Sequence, residues 1–228
     1  MTGGPVLPER FRHIAIEGPI GVGKTSLARK LAAHVDAELL LEQPGDNPFL
    51  ERFYADGRAY AFQTQLFFLF QRVEQMQALA QPGMFSRGVV SDFLFAKDAL
   101  FARLTLADDE YRLYTQIHAQ LAPRVPRPDL VLWLQASPAT LIERIRRRGI
   151  AMEQAISEDY LQRLCDAYVE HFESHDDTPV FAVVTDRFDP LDDPADFALL
   201  LERLARFDER RGLLDPDAAT LPPSPPRR

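Results

Sequence analysis

Five short apolar runs punctuate the chain, at residues 13–17, 38–41, 88–91, 130–135 and 180–185. Most are nearly continuous rather than alternating, which predicts strands buried on both faces. Between them, apolar positions recur at the three- and four-residue spacing of helices. That spacing predicts helices over 26–35, 58–80, 94–103, 108–121, 138–147, 157–174 and 194–209. Ser137 followed by Pro138 is the order expected at a helix start. Alternating strands and helices predict an α/β fold, with a five-stranded parallel sheet covered on both faces. The helix over 58–80 differs from the others. Phe62, Phe67, Phe68, Phe70, Leu66, Leu69 and Val73 spread its apolar positions over more than one stripe. A helix apolar on several sides must be buried on several sides, either in a thick core or against a second subunit.

The turn after the first strand carries the strongest chemical signal. Gly18, Pro19, Ile20, Gly21, Val22, Gly23, Lys24 and Thr25, followed by Ser26, form a complete phosphate loop between a strand and a helix start. Glycines let backbone N–H groups turn inward around a phosphate, and the helix N-terminus adds its dipole. Lys24 reaches the β- and γ-oxygens, and the Thr25 hydroxyl is a ligand for Mg²⁺. The chain therefore binds a nucleoside triphosphate, and the fold expected is the three-layer α/β/α arrangement of P-loop NTPases.

Composition narrows the remaining choices. With 228 residues, 46% of them hydrophobic, the chain suits one α/β domain over 11–209. Residues 1–10 read as a disordered lead, and the proline-rich 210–228 as a disordered tail. A formal charge of −8 argues against non-specific nucleic-acid binding. No run approaches the ~18–20 apolar residues of a membrane span. The single cysteine, Cys165, allows no internal disulfide and fits a cytoplasmic protein.

Ligands in such folds bind beyond the carboxyl ends of the strands. That rule singles out Glu42 and Asp92, at the ends of the second and third strands. Glu42 is placed to take a proton from an attacking hydroxyl, and Asp92 to hold Mg²⁺; either would also serve as an acidic helix cap. Four arginines within residues 144–148, followed by Gly149, suit a lid over phosphates or a basic helix end. Arg144 and Arg148, four apart, share a face. Gln63 sits among aromatic side chains, as a reader of a nucleobase edge would.

Taken together, the segments Ile16–Thr25, Asp46–Tyr54, Phe62–Gln65, Ser91–Asp98 and Arg144–Gly149 resemble the deoxynucleoside kinase family, in particular its deoxycytidine, deoxyguanosine and deoxyadenosine kinases in bacterial form. The resemblance spans about residues 12–208. It implies ATP- and Mg²⁺-dependent phosphorylation of the 5′-hydroxyl of a deoxyribonucleoside, in a homodimer. It gives Gln63 the base edge and Tyr54 and Glu153 the sugar 3′-hydroxyl. Asp98 and Arg72 join the base pocket, Glu42 activates the 5′-hydroxyl, and Arg144 and Arg148 are lid arginines.

Three positions depart from the family pattern. Gln43, rather than an acid, precedes Pro44; Phe93 follows the third-strand acid in place of arginine; Ile150 replaces a lid arginine. Arg146, Arg147 or Arg87 is then expected to compensate for the missing charge. Two alternatives stay open: a nucleoside monophosphate kinase of thymidylate kinase type, and a P-loop switch without small-molecule turnover. The sequence leaves the base undecided, since a glutamine amide meets adenine, cytosine or guanine by rotating.

Overall fold

The structure is a computed structural model that describes residues 7–79, 88–122, 125–174 and 177–216. Among these residues the strands are β1 (His13–Glu17), β2 (Glu38–Leu40), β3 (Val89–Ser91), β4 (Leu130–Gln135), β5 (Val180–Val184) and β6 (Arg211–Leu214). All pair in parallel, in the order β2-β3-β1-β4-β5-β6. The helices are α1 (Lys24–Val35), α2 (Leu50–Ala55), α3 (Gly57–Leu79), α4 (Lys97–Thr105), α5 (Asp108–Leu121), α6 (Pro138–Arg148), α7 (Glu158–Ser174) and α8 (Pro194–Arg206). The expected three-layer fold stands, with six strands rather than five.

The extra strand lies in the segment assigned to the tail. Arg211–Leu214 pairs with β5 from Val180↔Arg211 onward. Its arginine, its glycine and its exposed Leu213 hide it from hydrophobic pattern, because an edge strand needs only one buried face. Gly212 is a packing requirement. A Cβ there would lie 2.5 Å from the Phe181 ring and 2.9 Å from the Phe207 ring. The lead is also partly built in. Leu7 is buried in the core and Arg10 donates to the Phe207 carbonyl. Residues 1–6 and 217–228 lie outside the described residues.

Strand β1 lies between β3 and β4, and the loop after it faces the crevice where the direction of strand succession reverses. Its residues His13–Glu17 are all buried. Helix α6 starts as predicted: Ser137 Oγ accepts the Thr140 N–H at 3.3 Å, with Pro138 in the first turn. It ends at Gly149, whose φ of 72° suits the left-handed cap. Helix α4 begins at Lys97 rather than at residue 94. The Leu94 N–H donates to Glu17 Oε2 at 2.8 Å, which holds the preceding residues as a loop over the end of β1.

The aromatic-rich helix α3 does face several ways. Leu69, Val73 and Met76 are buried, and the first two pack with Ala102 of α4 and Tyr114 of α5. Thr64, Gln65, Phe68 and Arg72 line a cavity. Phe70, 50% exposed, points elsewhere. Ala80, the predicted end of this helix, is outside the described residues.

Replacing Gly212 by alanine forces the Phe181 and Phe207 rings to move, so the variant should lose about 1–3 kcal/mol of stability. Urea unfolding measures this; an unchanged midpoint would show that β6 does not pack as described.

Candidate active site

The phosphate loop separates two cavities. Gly18 begins it at a positive φ, and a side chain there would collide with the Leu134 carbonyl. Gly21 and Gly23, with φ of 87° and 103°, complete the turn into α1. One cavity, of about 350 Å³, is walled by the loop, Arg144, Arg147, Thr185 and residues 188–192. The other, of about 360 Å³, is walled by Glu42, α2, the Thr64–Arg72 face of α3, Lys97 and Phe101 of α4, and residues 150–153. Gly21, Lys24, Thr25 and Arg148 line both. Whatever fills the two cavities therefore meets at Lys24 and Thr25.

Lys24 Nζ folds back onto the Gly18 and Pro19 carbonyls, at 2.7 and 3.1 Å. Burial first, and the neighbouring Lys97 charge second, lower its pKa to about 8. Thr25 Oγ1 donates to Asp92 Oδ2 at 2.5 Å. The other oxygen of Asp92 accepts the Glu42 N–H at 2.7 Å, which ties the ends of β2 and β3 to the phosphate loop. Burial raises the Asp92 pKa above its ordinary value.

Glu42 sits at the centre of a chain of buried charges. It accepts from Arg72, and Lys97 Nζ lies 3.4 Å away. Burial alone would raise its pKa, but the charges of Arg72, Lys97 and Lys24 outweigh that and hold it at about 2. Arg72 also pairs with the fully buried Asp98. Lys97 also faces the fully buried Glu17 at 3.8 Å. Glu17 in turn accepts from the Gly18 and Leu94 N–H groups, at 2.9 and 2.8 Å, and from the Tyr168 hydroxyl at 2.8 Å. Gln43 is exposed, so Glu42 is the residue of this pair that enters the cavity.

Tyr54 and Glu153 come together at the other side of the same cavity. Burial, then the Glu153 carboxylate, push the Tyr54 hydroxyl well above its usual pKa. The two arginines expected to form a lid line one cavity together but are held differently. Arg144 is anchored, with Nη1 on Thr185 Oγ1 at 2.9 Å and Nη2 on the Thr185 carbonyl at 2.5 Å. Arg148 pairs with Glu153 at the junction of the cavities.

Gln63 is a correction. It is exposed and does not line the cavity, whereas the buried Gln65 does. Residues 65, 68 and 72 follow the three- and four-residue helical spacing, and residue 63 falls on the far side of the turn.

A family profile described as "Deoxynucleoside kinase" matches residues 14–207. The chain belongs to the deoxynucleoside kinase family. A deoxyguanosine kinase of Bacillus subtilis (strain 168) is 35% identical over 157 residues, covering 68% of this chain and 75% of that one. A deoxyadenosine kinase of Dictyostelium discoideum is 37% identical over 163 residues, covering 69% and 65%. Among solved structures, the deoxyadenosine kinase of M. mycoides with bound dCTP superposes with a TM-score of 0.72 at 25% identity. That match covers 86% of this chain and all of the other. The kinase is thus a phosphotransferase on family grounds.

Sequence reasoning missed four contributors to the two cavities and to the charges between them. Gln65 carried a signal in its seven-residue separation from Arg72, two helical turns on one face. Glu17 carried one as an acid ending a buried strand before the phosphate loop. Lys97 and the 185–192 loop carried none that separates them from surface charge. The helical register yields a direct comparison. Gln65→Ala should raise the nucleoside KM roughly tenfold or more, within the range for a lost bidentate amide, while Gln63→Ala leaves it unchanged. Steady-state kinetics on both variants check this, and the opposite pattern would restore Gln63 to the site.

Proposed function

We propose that the chain transfers the γ-phosphate of ATP to the 5′-hydroxyl of a 2′-deoxyribonucleoside. The observation that carries this reading is the charge around Glu42. Two cations, Arg72 and Lys97, face three carboxylates, Glu17, Glu42 and Asp98. Neither cation is free to hold a second phosphate, and an anionic acceptor would meet surplus negative charge. A neutral sugar hydroxyl suits the place better than a nucleoside monophosphate. Two cavities sharing Lys24 and Thr25 likewise suit a reaction between two ligands better than a one-ligand switch.

In this reading the donor nucleotide occupies the cavity walled by Arg144 and residues 188–192, with its phosphates on Gly18–Ser26. Lys24 leaves the Gly18 and Pro19 carbonyls to stabilise the β- and γ-oxygens. The Thr25 hydroxyl and the Asp92 carboxylate, 2.5 Å apart beside the loop, fit a Mg²⁺ ion. Mg²⁺ asks for few protein ligands when phosphates and water supply the rest. Among the described residues no cluster of three or more His, Cys, Asp or Glu offers an all-protein cage. The ion, when bound, neutralises charge on the transferring phosphates.

The nucleoside occupies the other cavity. Gln65 meets the base edge, with Arg72 and Asp98 behind it. Tyr54 and Glu153 hold the 3′-hydroxyl, and Phe68 and Phe101 flank the ring. Glu42, kept ionised by Arg72 and Lys97, accepts a hydrogen bond from the 5′-hydroxyl and takes its proton late, as the new P–O bond forms. Arg147, which lines the donor cavity, supplies the cation that Phe93 lacks, rather than Arg146, which does not line it; Arg87 lies outside the described residues. Arg148 closes on the γ-phosphate from the junction of the cavities.

The homodimer belongs to the same reading. Phe70 of α3 and Leu113 of α5, 50% and 49% exposed, offer an apolar surface to a second copy. No helix among the described residues is long and apolar enough to cross a membrane, and a cytoplasmic place of work fits the single cysteine. The reading is tested by incubating the protein with γ-labelled ATP, Mg²⁺ and each of the four deoxynucleosides or their 5′-monophosphates. Label should appear in monophosphate products from nucleosides; label transferred only to monophosphates would overturn it.

A further inference from the structure

Gln65 has a neighbour that decides how its amide is turned. Its Nε2 lies 3.3 Å from Thr105 Oγ1, at the end of α4. The Thr105 hydroxyl already donates to the Phe101 carbonyl one helical turn back, at 2.7 Å. A hydroxyl has a single proton, so toward Gln65 this oxygen can only accept. The group facing Thr105 must therefore be the amide NH₂, and the carbonyl oxygen Oε1 is turned away from it. Reversing the amide would either set two acceptor oxygens against each other or make the hydroxyl give up the Phe101 carbonyl, and either way one hydrogen bond is lost. We propose that Thr105 locks the Gln65 amide in one orientation and thereby sets which base edge the acceptor cavity takes.

The inference rests on the nucleoside-kinase reading and deepens it. Adenine and hypoxanthine have nearly the same shape but exchange donor and acceptor along one edge. Adenine presents an amino donor beside a bare ring nitrogen; hypoxanthine presents a keto oxygen beside a ring N–H. Cytosine and uracil differ in the same way. A free amide serves both members of each pair by rotating, whereas a locked one pairs with one and opposes the other. With Oε1 toward the cavity, Gln65 receives the exocyclic N–H. The substrate class is then deoxynucleosides whose base edge sets an amino donor beside a bare ring nitrogen, as in adenine and cytosine, preferred over bases with a keto oxygen beside a ring N–H. Thr105 does this without touching the substrate, as a positioning residue for specificity.

The test compares kcat/KM for deoxyadenosine and deoxyinosine in the wild type, Thr105→Val, Thr105→Ala and Thr105→Ser. The wild type should prefer deoxyadenosine by roughly tenfold or more, the discrimination of a good bidentate pair. The valine and alanine variants should lose most of that ratio through a gain on deoxyinosine, and the serine variant, which keeps the hydroxyl, should retain it. A wild-type preference for deoxyinosine would overturn the inference. So would an unchanged ratio in the valine and alanine variants. Failure of the wild type to phosphorylate any deoxynucleoside would instead overturn the underlying reading, and this inference with it.

Discussion

Burying a carboxylate beside a phosphate-binding loop is costly unless its charge is met by partners of fixed geometry. Glu42 is met by Arg72 and Lys97. Each of those cations is in turn held by a second buried acid, Asp98 for Arg72 and Glu17 for Lys97. The chain of charges runs from α3 through the end of β2 to α4 and the end of β1. Breaking any link leaves an unpaired charge in the interior, so the network fixes the relative position of the elements that wall the cavity Glu42 enters. It also keeps Glu42 ionised, against the effect of burial.

The topology explains why this network lies where it does. Strand β1 has β3 on one side and β4 on the other, so its carboxyl end opens onto the crevice between them. Glu17 ends β1, Asp92 follows β3 and Glu42 follows β2. Three acids are thereby delivered to one edge of the sheet, and α1 begins there with its dipole pointing at the same spot. The opposite wall comes from α6 and the loop after β5, joined by Arg144 on Thr185. The loop at Gly18–Thr25 is the shared floor of both cavities.

How much of this was legible follows from how local each feature is. The phosphate loop is contiguous, with a buried strand before it and a helix after it, so its residues could be read in a row. Glu42 and Asp92 were legible because each ends a strand. Which glutamine lines the cavity was not, because Gln63 and Gln65 share one short aromatic stretch and only the rotation of α3 says which turns inward. Lys97 looked like any lysine in a helix; its burial between Glu17 and Glu42 depends on three separate segments meeting. β6 escaped because an edge strand with one buried face lacks a continuous apolar run, and its pairing with β5 is a long-range event. Arg144 and Arg148 share a face as helical spacing implies and line one cavity together, yet the anchoring of Arg144 by Thr185 and the reach of Arg148 into the second cavity depend on distant segments.

The account turns on Glu42 as the group that faces the attacking hydroxyl. Glu42→Gln keeps the size and a hydrogen-bonding oxygen but removes the charge and the ability to take a proton. The direct measurement is its kcat for a deoxynucleoside at saturating ATP and Mg²⁺, alongside a binding assay for the nucleoside. The account predicts a fall in kcat of roughly 10²-fold or more, the lower range for a lost general base, with nucleoside binding retained. Turnover near that of the wild type would contradict it.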